Sequence, residues 1–315
     1  MPVNTSINDI QDEALPGSHQ FGPEWLVEAV GASEVHLHRV QSVVMEMSFG
    51  FNRIAVLQTA YGRVLVKNDR LQSTQNDEWI YHEALVHPAM IAHPGPRSVL
   101  CIGGTTGAII REVLRHRTVE EVFVFWVDRQ ILDALDGKLP YAERAVFSDL
   151  RVKGLFSSPL DDATLSGHKF DVIIADPPEP SESGAPEKDV YQHVVKSAAK
   201  FLAQDGILAI AGGAVHPAAE SISTLPEAFA VARTHFQTVN LGTASVPSLG
   251  IPWGMLFCSH ERNMITMDAA TVNERLARRE ASGLRFYDGG THVGMFATPK
   301  HVGSWLASGK TGSAG

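Results

Sequence analysis

Ser98-Val-Leu-Cys-Ile-Gly-Gly104 decides the fold: a short apolar run stops in paired glycines, and Ala108–His116 follows with Ile109/Val113 and Ile110/Leu114 at helical spacing. Such a run reads as a buried strand turning into an amphipathic helix. The same rhythm recurs downstream. Glu121-Val-Phe-Val-Phe-Trp-Val-Asp128 reads as a second buried strand with the helix Arg129–Leu135 behind it, and Phe170-Asp-Val-Ile-Ile-Ala-Asp176 as a third. Val190–Leu202 carries Val190, Val194, Val195, Ala198, Phe201 and Leu202 on one helical stripe, and Asp205-Gly206 then opens the strand Ile207–Ala211. Glu227–Phe236, a hydrophobic strand near Met255–Cys258 and a closing segment to Trp305 complete the unit. Strands alternating with helices predict an α/β fold with a parallel, doubly wound sheet.

Upstream the pattern changes. Val35–Val40, Val43–Met47, Arg53–Gln58 and Arg63–Lys67 are short β-like runs separated by Phe-Gly-Phe-Asn and Tyr-Gly turns, spaced like antiparallel hairpins. The expected organisation is a loosely ordered segment over 1–22, a small β domain over 23–75, the α/β domain over 76–307 and a flexible Gly/Ser-rich tail over 308–315. Asp77-Glu-Trp-Ile-Tyr-His-Glu83 joins the two domains. On a helix it pairs Glu78 with His82 on one face, and a partly exposed amphipathic helix is one reading of it.

The chain has 315 residues, with 26 Lys+Arg against 35 Asp+Glu, a net charge of −9. Residues 1–38 hold six acids and no Lys or Arg, so −3 is left for the other 277 residues. No basic run suggests a nucleic-acid binder. Cys101 and Cys258 lie in apolar runs and read as buried thiols, too few for a disulfide framework or a zinc site. The N-terminus lacks the basic and apolar regions of a signal peptide. Thr234–His260 has no formal charge, but prolines, glycines, His235, Gln237 and Asn240 interrupt it, and no ~20-residue apolar span forms. A soluble, cytoplasmic protein without a membrane anchor is expected.

Ligands of such sheets bind at the carboxyl ends of the strands. Three strand ends qualify: Gly103-Gly-Thr-Thr-Gly107, Asp128, and Asp176-Pro-Pro-Glu-Pro180. The glycine loop permits close approach of a ligand, although a tight strand-to-helix turn requires glycine anyway. Asp128 reads as a ribose ligand or, preferably on local grounds, as a helix cap. Asp176 and Glu179 lie in a proline-stiffened loop; two like charges there suit a base near neutral pH or a cation site. An exposed acidic loop continued by Glu182 and Glu187 is the plainer alternative. Asp176-Pro-Pro is similar to the loop with which amino-methylating enzymes accept an amine nitrogen, but those end in an aromatic residue where Glu179 stands. No His-Glu-x-x-His pattern occurs among the fourteen histidines, and no metal is expected.

Together these segments resemble the spermidine synthase (polyamine aminopropyltransferase) family along nearly the whole chain. The resemblance is carried by Tyr61-Gly-Arg-Val-Leu-Val, Asp77–Glu83, Val99–Gly104, Arg111-Glu-Val-Leu-Arg-His116, Phe170–Asp176, Val190-Tyr-Gln, Asp205-Gly206, Trp253-Gly254 and Tyr287…His292…Phe296…Pro299. It implies an N-terminal β domain on a Rossmann-like, methyltransferase-type sheet, usually as a dimer or tetramer. It also implies transfer of an aminopropyl group from decarboxylated S-adenosylmethionine to a small amine.

The departures concentrate on the donor side. By the resemblance, Thr106 stands where the glycine loop carries an acid, with Gly103, Gly104 and Thr105 beside it. Trp126 stands at the ribose-gripping acid, and Asp128 matches the next acidic position. Leu155-Phe156 fall at the adenine-reading Asp-Gly, and Asn52 at a donor-site glutamine. On the acceptor side Glu179 replaces the catalytic Asp, while Tyr81, His82, Asp176, Tyr191 and Trp253 match. The resulting scheme has Glu179 as base, Asp176 holding the amine, and Tyr81, His82 and Tyr191 orienting it, with Asp77, Glu78 and Glu83 as further acidic neighbours. Three or four lost polar contacts at about 1.5–3 kcal/mol each would weaken donor binding by orders of magnitude unless others compensate. Thr105 and Thr106 suit a donor that keeps its carboxylate, S-adenosylmethionine itself, and Trp126 suits ring stacking. The rival expectations are a non-catalytic or repurposed relative whose nucleoside pocket is refilled by side chains, binding a small cation, an apolar substrate or a protein, and an S-adenosylmethionine-dependent N-methyltransferase. A homodimer is the expected assembly.

Overall fold

The computed structural model describes residues 25–29, 35–49, 52–127, 129–156, 165–177, 187–216 and 223–308. The expectations for 1–22 and for the tail beyond Ser308 lie outside them, as do Asp128, Glu179 and the side chains of Leu155 and Phe156.

The N-terminal strands form two antiparallel sheets, as the hairpin spacing predicts. β1 (Trp25–Ala29) pairs with β2 (Val35–Arg39). β3 (Ser42–Phe49), β4 (Asn52–Thr59), β5 (Gly62–Lys67) and β6 (Arg70–Thr74) make a four-stranded meander. β1 and β6 were not expected, since Arg70-Leu-Gln-Ser-Thr has one apolar residue and shows no alternation. The meander buries Ile54, Val56 and Leu65 against Ile131, Leu135 and Tyr141, which ties it to the next domain.

α1 (Glu78–Ala92) leads into the main sheet: β7 (Ser98–Ile102), α2 (Ala108–Leu114), β8 (Glu121–Phe125), α3 (Arg129–Leu135), β9 (Val152–Phe156), β10 (Phe170–Ala175), α4 (Glu187–Phe201), β11 (Leu202–Ala214), α5 (Leu225–His235), β12 (Thr238–Ser245) and β13 (Pro252–Ser259). Three short helices, α6 (Ala269–Arg278), α7 (Gly289–Met295) and α8 (Lys300–Ala307), close the chain. The strand order is β12-β13-β11-β10-β7-β8-β9. β7, β8 and β9 step one way and β10 and β11 the other, so the crevice of the doubly wound sheet opens between the carboxyl ends of β7 and β10. Side chains alternate between the faces: Val99 and Cys101 join the α1/α2 layer, Leu100 and Ile102 the α4/α5 layer. Both cysteines are fully buried, and burial pushes the Cys101 thiol up to about 12.

Three expectations need correction. The sheet is not wholly parallel, because β13 runs antiparallel to both β11 and β12. The uncharged stretch Thr234–His260 is largely β12 and β13, and burial of half of β12 and most of β13 accounts for much of its lack of charge. β8 stops at Phe125, not Asp128, because Trp126 takes a left-handed conformation (φ +60°) and turns the chain away. Finally, α1 is no partly exposed helix: of its fifteen residues only Trp79 and Tyr81 are not buried. None of the described helices is long and apolar enough to cross a membrane.

A helix this deep brings polar groups inside. His87 of α1 and His116 after α2 are fully buried and share a hydrogen bond of 3.0 Å, and Nε2 of His87 meets Glu112 at 3.1 Å. Burial, reinforced by the neighbouring His87, Arg279 and Arg115, holds His116 well below its ordinary value of 6.5, so it is neutral in the fold. In the unfolded chain it titrates normally. Its contribution is therefore complete above about pH 6.5 and is lost as pH falls below that value. Urea midpoints measured from about pH 7.5 to 5 are expected to fall, and His116→Gln should flatten that slope even where it lowers neutral-pH stability.

Candidate active site

Three strand ends are laced together at the crevice. Gly103 N–H donates to Phe125 C=O at 2.8 Å, joining the ends of β7 and β8. Asp176 N–H donates to Ile102 C=O at 2.9 Å, joining β10 to β7. Gly103 is left-handed (φ +88°), and a Cβ there would lie 2.1 Å from the Asp176 carbonyl oxygen. Glycine is required by this convergence, whatever binds nearby. Thr106 is buried, and its carbonyl accepts from Glu143 N–H at 2.9 Å; Thr105 and Gly104 are half-buried.

Asp176 stands half-buried at the mouth, and its Oδ1 accepts a 2.8 Å hydrogen bond from the Tyr81 hydroxyl. Tyr81 comes from the first turn of α1 and meets the ring of Trp253 edge-on, centroids 6.3 Å apart. The indole N–H of Trp253 is buried and has no hydrogen-bond partner among the described residues. Asp176, Tyr81 and Trp253 thus form one carboxylate-and-aromatic corner beside the glycine loop. Trp126 lies half-buried at the neighbouring strand end, its ring tilted 40° to that of His193 at 6.3 Å. A left-handed backbone on a bulky aromatic is uncommon and costs about 1–3 kcal/mol, a cost that concentrates at functional positions.

Other expected residues are placed differently. Tyr191 is buried, and its hydroxyl donates to Ala211 C=O at 3.0 Å and lies 3.2 Å from Thr224 Oγ1, tying α4 to β11. Asn52 accepts from Asn68 Nδ2 at 3.0 Å across the β4–β5 hairpin; none of its hydrogen bonds reaches the glycine loop.

The three acids expected as neighbours of the amine are structural. Asp77 accepts from Thr74 Oγ1 (2.6 Å), Ser248 N–H (2.8 Å) and Ser248 Oγ (2.9 Å). Glu83 accepts from the backbone N–H groups of Arg285, Phe286 and Tyr287. Glu78 is bound by His82 at 2.6 Å and by Arg111 at 2.9 Å. Burial alone would raise the Glu78 carboxyl, but His82 and Arg111 outweigh it and hold it below the usual range. Arg111 is the residue the sequence reading left without a role. It also reaches Glu112 (2.6 Å) and Glu143 (3.3 Å), and its only sequence signal was its place in Arg111–His116.

Comparison with known proteins shows the family and the fold of this chain. Residues 78–269 match the model of the spermine/spermidine synthase domain. A polyamine aminopropyltransferase of Pyrobaculum neutrophilum is 31% identical over 288 residues, covering 89% of this chain and 96% of its own. Polyamine aminopropyltransferase 2 of Hyperthermus butylicus is 33% identical over 288 residues, covering 90% and 91%. The fold is that of a spermidine synthase crystallised with the transition-state analogue AdoDATO (TM-score 0.77, 24% identity, 90% and 95% covered) and of the Thermotoga maritima spermidine synthase (TM-score 0.76, 24% identity, 91% and 96% covered). With the domain model spanning the crevice and relatives spanning nine-tenths of the chain, this protein belongs to the spermine/spermidine synthase family.

Proposed function

We propose that this chain, an aminopropyltransferase by family, moves the aminopropyl group of a decarboxylated S-adenosylmethionine-type sulfonium to a small amine, with Asp176 and Tyr81 holding the amine. The observation that supports it is the Asp176 carboxylate, fixed by Tyr81 at the point where β7 and β10 part. A half-buried carboxylate with an orienting phenol is a receptor for an ammonium, and hydrogen bonds between charged partners are about twice as strong as neutral ones. The rings of Tyr81 and Trp253 add an aromatic wall for a methylene chain and its cationic end. Glu179, three residues on, is the carboxylate expected to take the proton.

The chemistry is a displacement at the carbon beside a sulfonium. The leaving group is already cationic, so holding amine and donor in line supplies most of the acceleration. The donor falls to Gly103, Gly104, Thr105 and Thr106, with Trp126 at the next strand end and Asp128 two residues further along the sequence. Trp126 keeps part of its surface exposed at the crevice, which favours a stacking wall over a plug. We place the enzyme in the cytoplasm as a homodimer, with Val35, Leu37 and Val43 as exposed apolar side chains on the N-terminal strands.

One observation favours a second donor. The loop Gly103–Gly107 offers hydroxyls and no charge, so a donor that keeps its carboxylate, S-adenosylmethionine, meets no repulsion there. Calorimetry and turnover with both donors and a panel of diamines separate the cases, and mass spectrometry distinguishes aminopropyl, carboxyaminopropyl and methyl addition. Turnover with the decarboxylated donor alone is expected; methyl addition, or binding of neither donor, overturns the reading. Tyr81→Phe removes one charge-assisted hydrogen bond, about 1.5–3 kcal/mol, and should lower kcat/KM for the amine roughly ten- to a hundredfold. Asp176→Asn should lower it further, and wild-type kcat/KM in either variant would show that this corner does not hold the amine.

A further inference from the structure

Two buried groups beside the amine corner take no part in this scheme as bases: Glu78 and His82. They stand one turn apart on α1, with Nδ1 of His82 2.6 Å from Oε2 of Glu78. Arg111 fixes the same carboxylate from α2, its Nη2 lying 2.9 and 3.1 Å from the two oxygens. Arg111 is itself held at Nε by Glu112 (2.6 Å) and at Nη1 by Glu143 (3.3 Å), so it cannot swing away. A carboxylate immobilised on Nδ1 sets the imidazole tautomer: Nδ1 carries the proton and Nε2 keeps its lone pair. The ring meets Tyr81 edge-on at 5.4 Å, and the Tyr81 hydroxyl binds Asp176.

We propose that His82 is a second proton acceptor in the transfer, alongside Glu179, with Glu78 and Arg111 as its positioning residues. The proposal rests on the aminopropyl-transfer reading above. The incoming ammonium gives one N–H proton to Nε2 of His82, directly or through one water, and the imidazolium is stabilised by the Glu78 carboxylate. The freed lone pair attacks the carbon beside the sulfonium. The C–N bond forms as the C–S bond breaks, its electron pair passes to sulfur, and a neutral thioether leaves. The positive charge lost at sulfur reappears on the product ammonium, and His82 returns its proton to solvent. Among the described residues, the charged and titratable groups around this pair are Arg111 and Glu112 from α2, Tyr141 and Glu143 from the segment after α3, Asp77 just before α1, and Tyr81 with Asp176 at the crevice. The positive charge of Arg111 is divided among three carboxylates, which leaves Glu78 free to support a cation on His82.

The test is the pH dependence of kcat and of KM for a diamine, measured from about pH 6.5 to 10 for wild type, His82→Gln and Glu78→Gln. His82→Gln should lower kcat by roughly a hundredfold near neutrality with KM for the amine changed less than about threefold. The gap should narrow to severalfold near pH 10, where an amine of pKa about 10.4 arrives largely deprotonated. Glu78→Gln keeps the shape of the side chain and should show a smaller defect that narrows in the same way. Wild-type turnover together with a His82→Gln loss that is equal at every pH, or absent, overturns the base role and leaves the transferase reading standing. Absence of wild-type turnover overturns both. Nitrogen-15 NMR of the imidazoles gives a readout without turnover: His82 must carry its proton on Nδ1, and an Nε2–H tautomer would sink the proposal.

Discussion

Putting Glu78 and Glu83 on a helix buried along nearly its whole length forces the rest of the molecule to answer them. A buried carboxylate without partners would cost several kcal/mol, so each must be met by donors that only the folded chain brings together. Arg111 of α2 meets Glu78, and three consecutive backbone N–H groups at Arg285–Tyr287 meet Glu83. Asp77, just before the helix, takes Thr74 from the N-terminal meander and Ser248 from the loop between β12 and β13. One helix therefore fastens both domains and the C-terminal segment. At its far end the buried guanidinium of Arg279 caps it, binding the carbonyls of Met90 and His93.

That constraint also sets the site. Tyr81 on the first turn of α1 and His82 at the start of the second lie between the residues most firmly held, Glu78 and Glu83, so their rings inherit its rigidity. The opposite wall is equally fixed, because the β7, β8 and β10 ends are hydrogen-bonded to one another and Gly103 touches the Asp176 backbone. Sites built on such elements hold their geometry better than sites on loops alone. Trp126 bears the local cost: the turn that ends β8 places an aromatic residue in a conformation suited to glycine.

The core was legible because period and punctuation agreed. Ser98–Gly104 and Phe170–Asp176 are unbroken apolar runs ended by a turn residue or an acid, and both are strands whose ends frame the crevice. Trp126 is invisible to such reasoning, since Phe-Trp-Val continues the apolar run and only the backbone shows the strand to be over. β12 was missed because Thr238-Val-Asn-Leu-Gly-Thr-Ala-Ser mixes polar and small residues; Asn240 accepts from Met264 N–H, a partner 24 residues away. At the site, the pairing of Tyr81 with Asp176 spans 95 residues and could be guessed only from resemblance. The roles of Asp77, Glu83 and Arg111 were likewise hidden, because their partners are backbone groups or side chains on other elements.

The electrostatics follow from the same partition. A net charge of −9 suggests an acidic pocket for a cation, yet most of the surplus precedes residue 39. The acids nearest the amine corner in sequence, Asp77, Glu78 and Glu83, are spent on internal donors. Each adds little field at the crevice, because its charge is met by Arg111 together with His82, or by oriented N–H and O–H donors within hydrogen-bond distance. Asp176 differs in its place: it stands half-buried at the crevice, where its Oδ1 accepts from the Tyr81 hydroxyl. On the proposed reading an ammonium is drawn to that half-buried carboxylate, and recognition of the amine depends on where it is held more than on how many acids the chain contains.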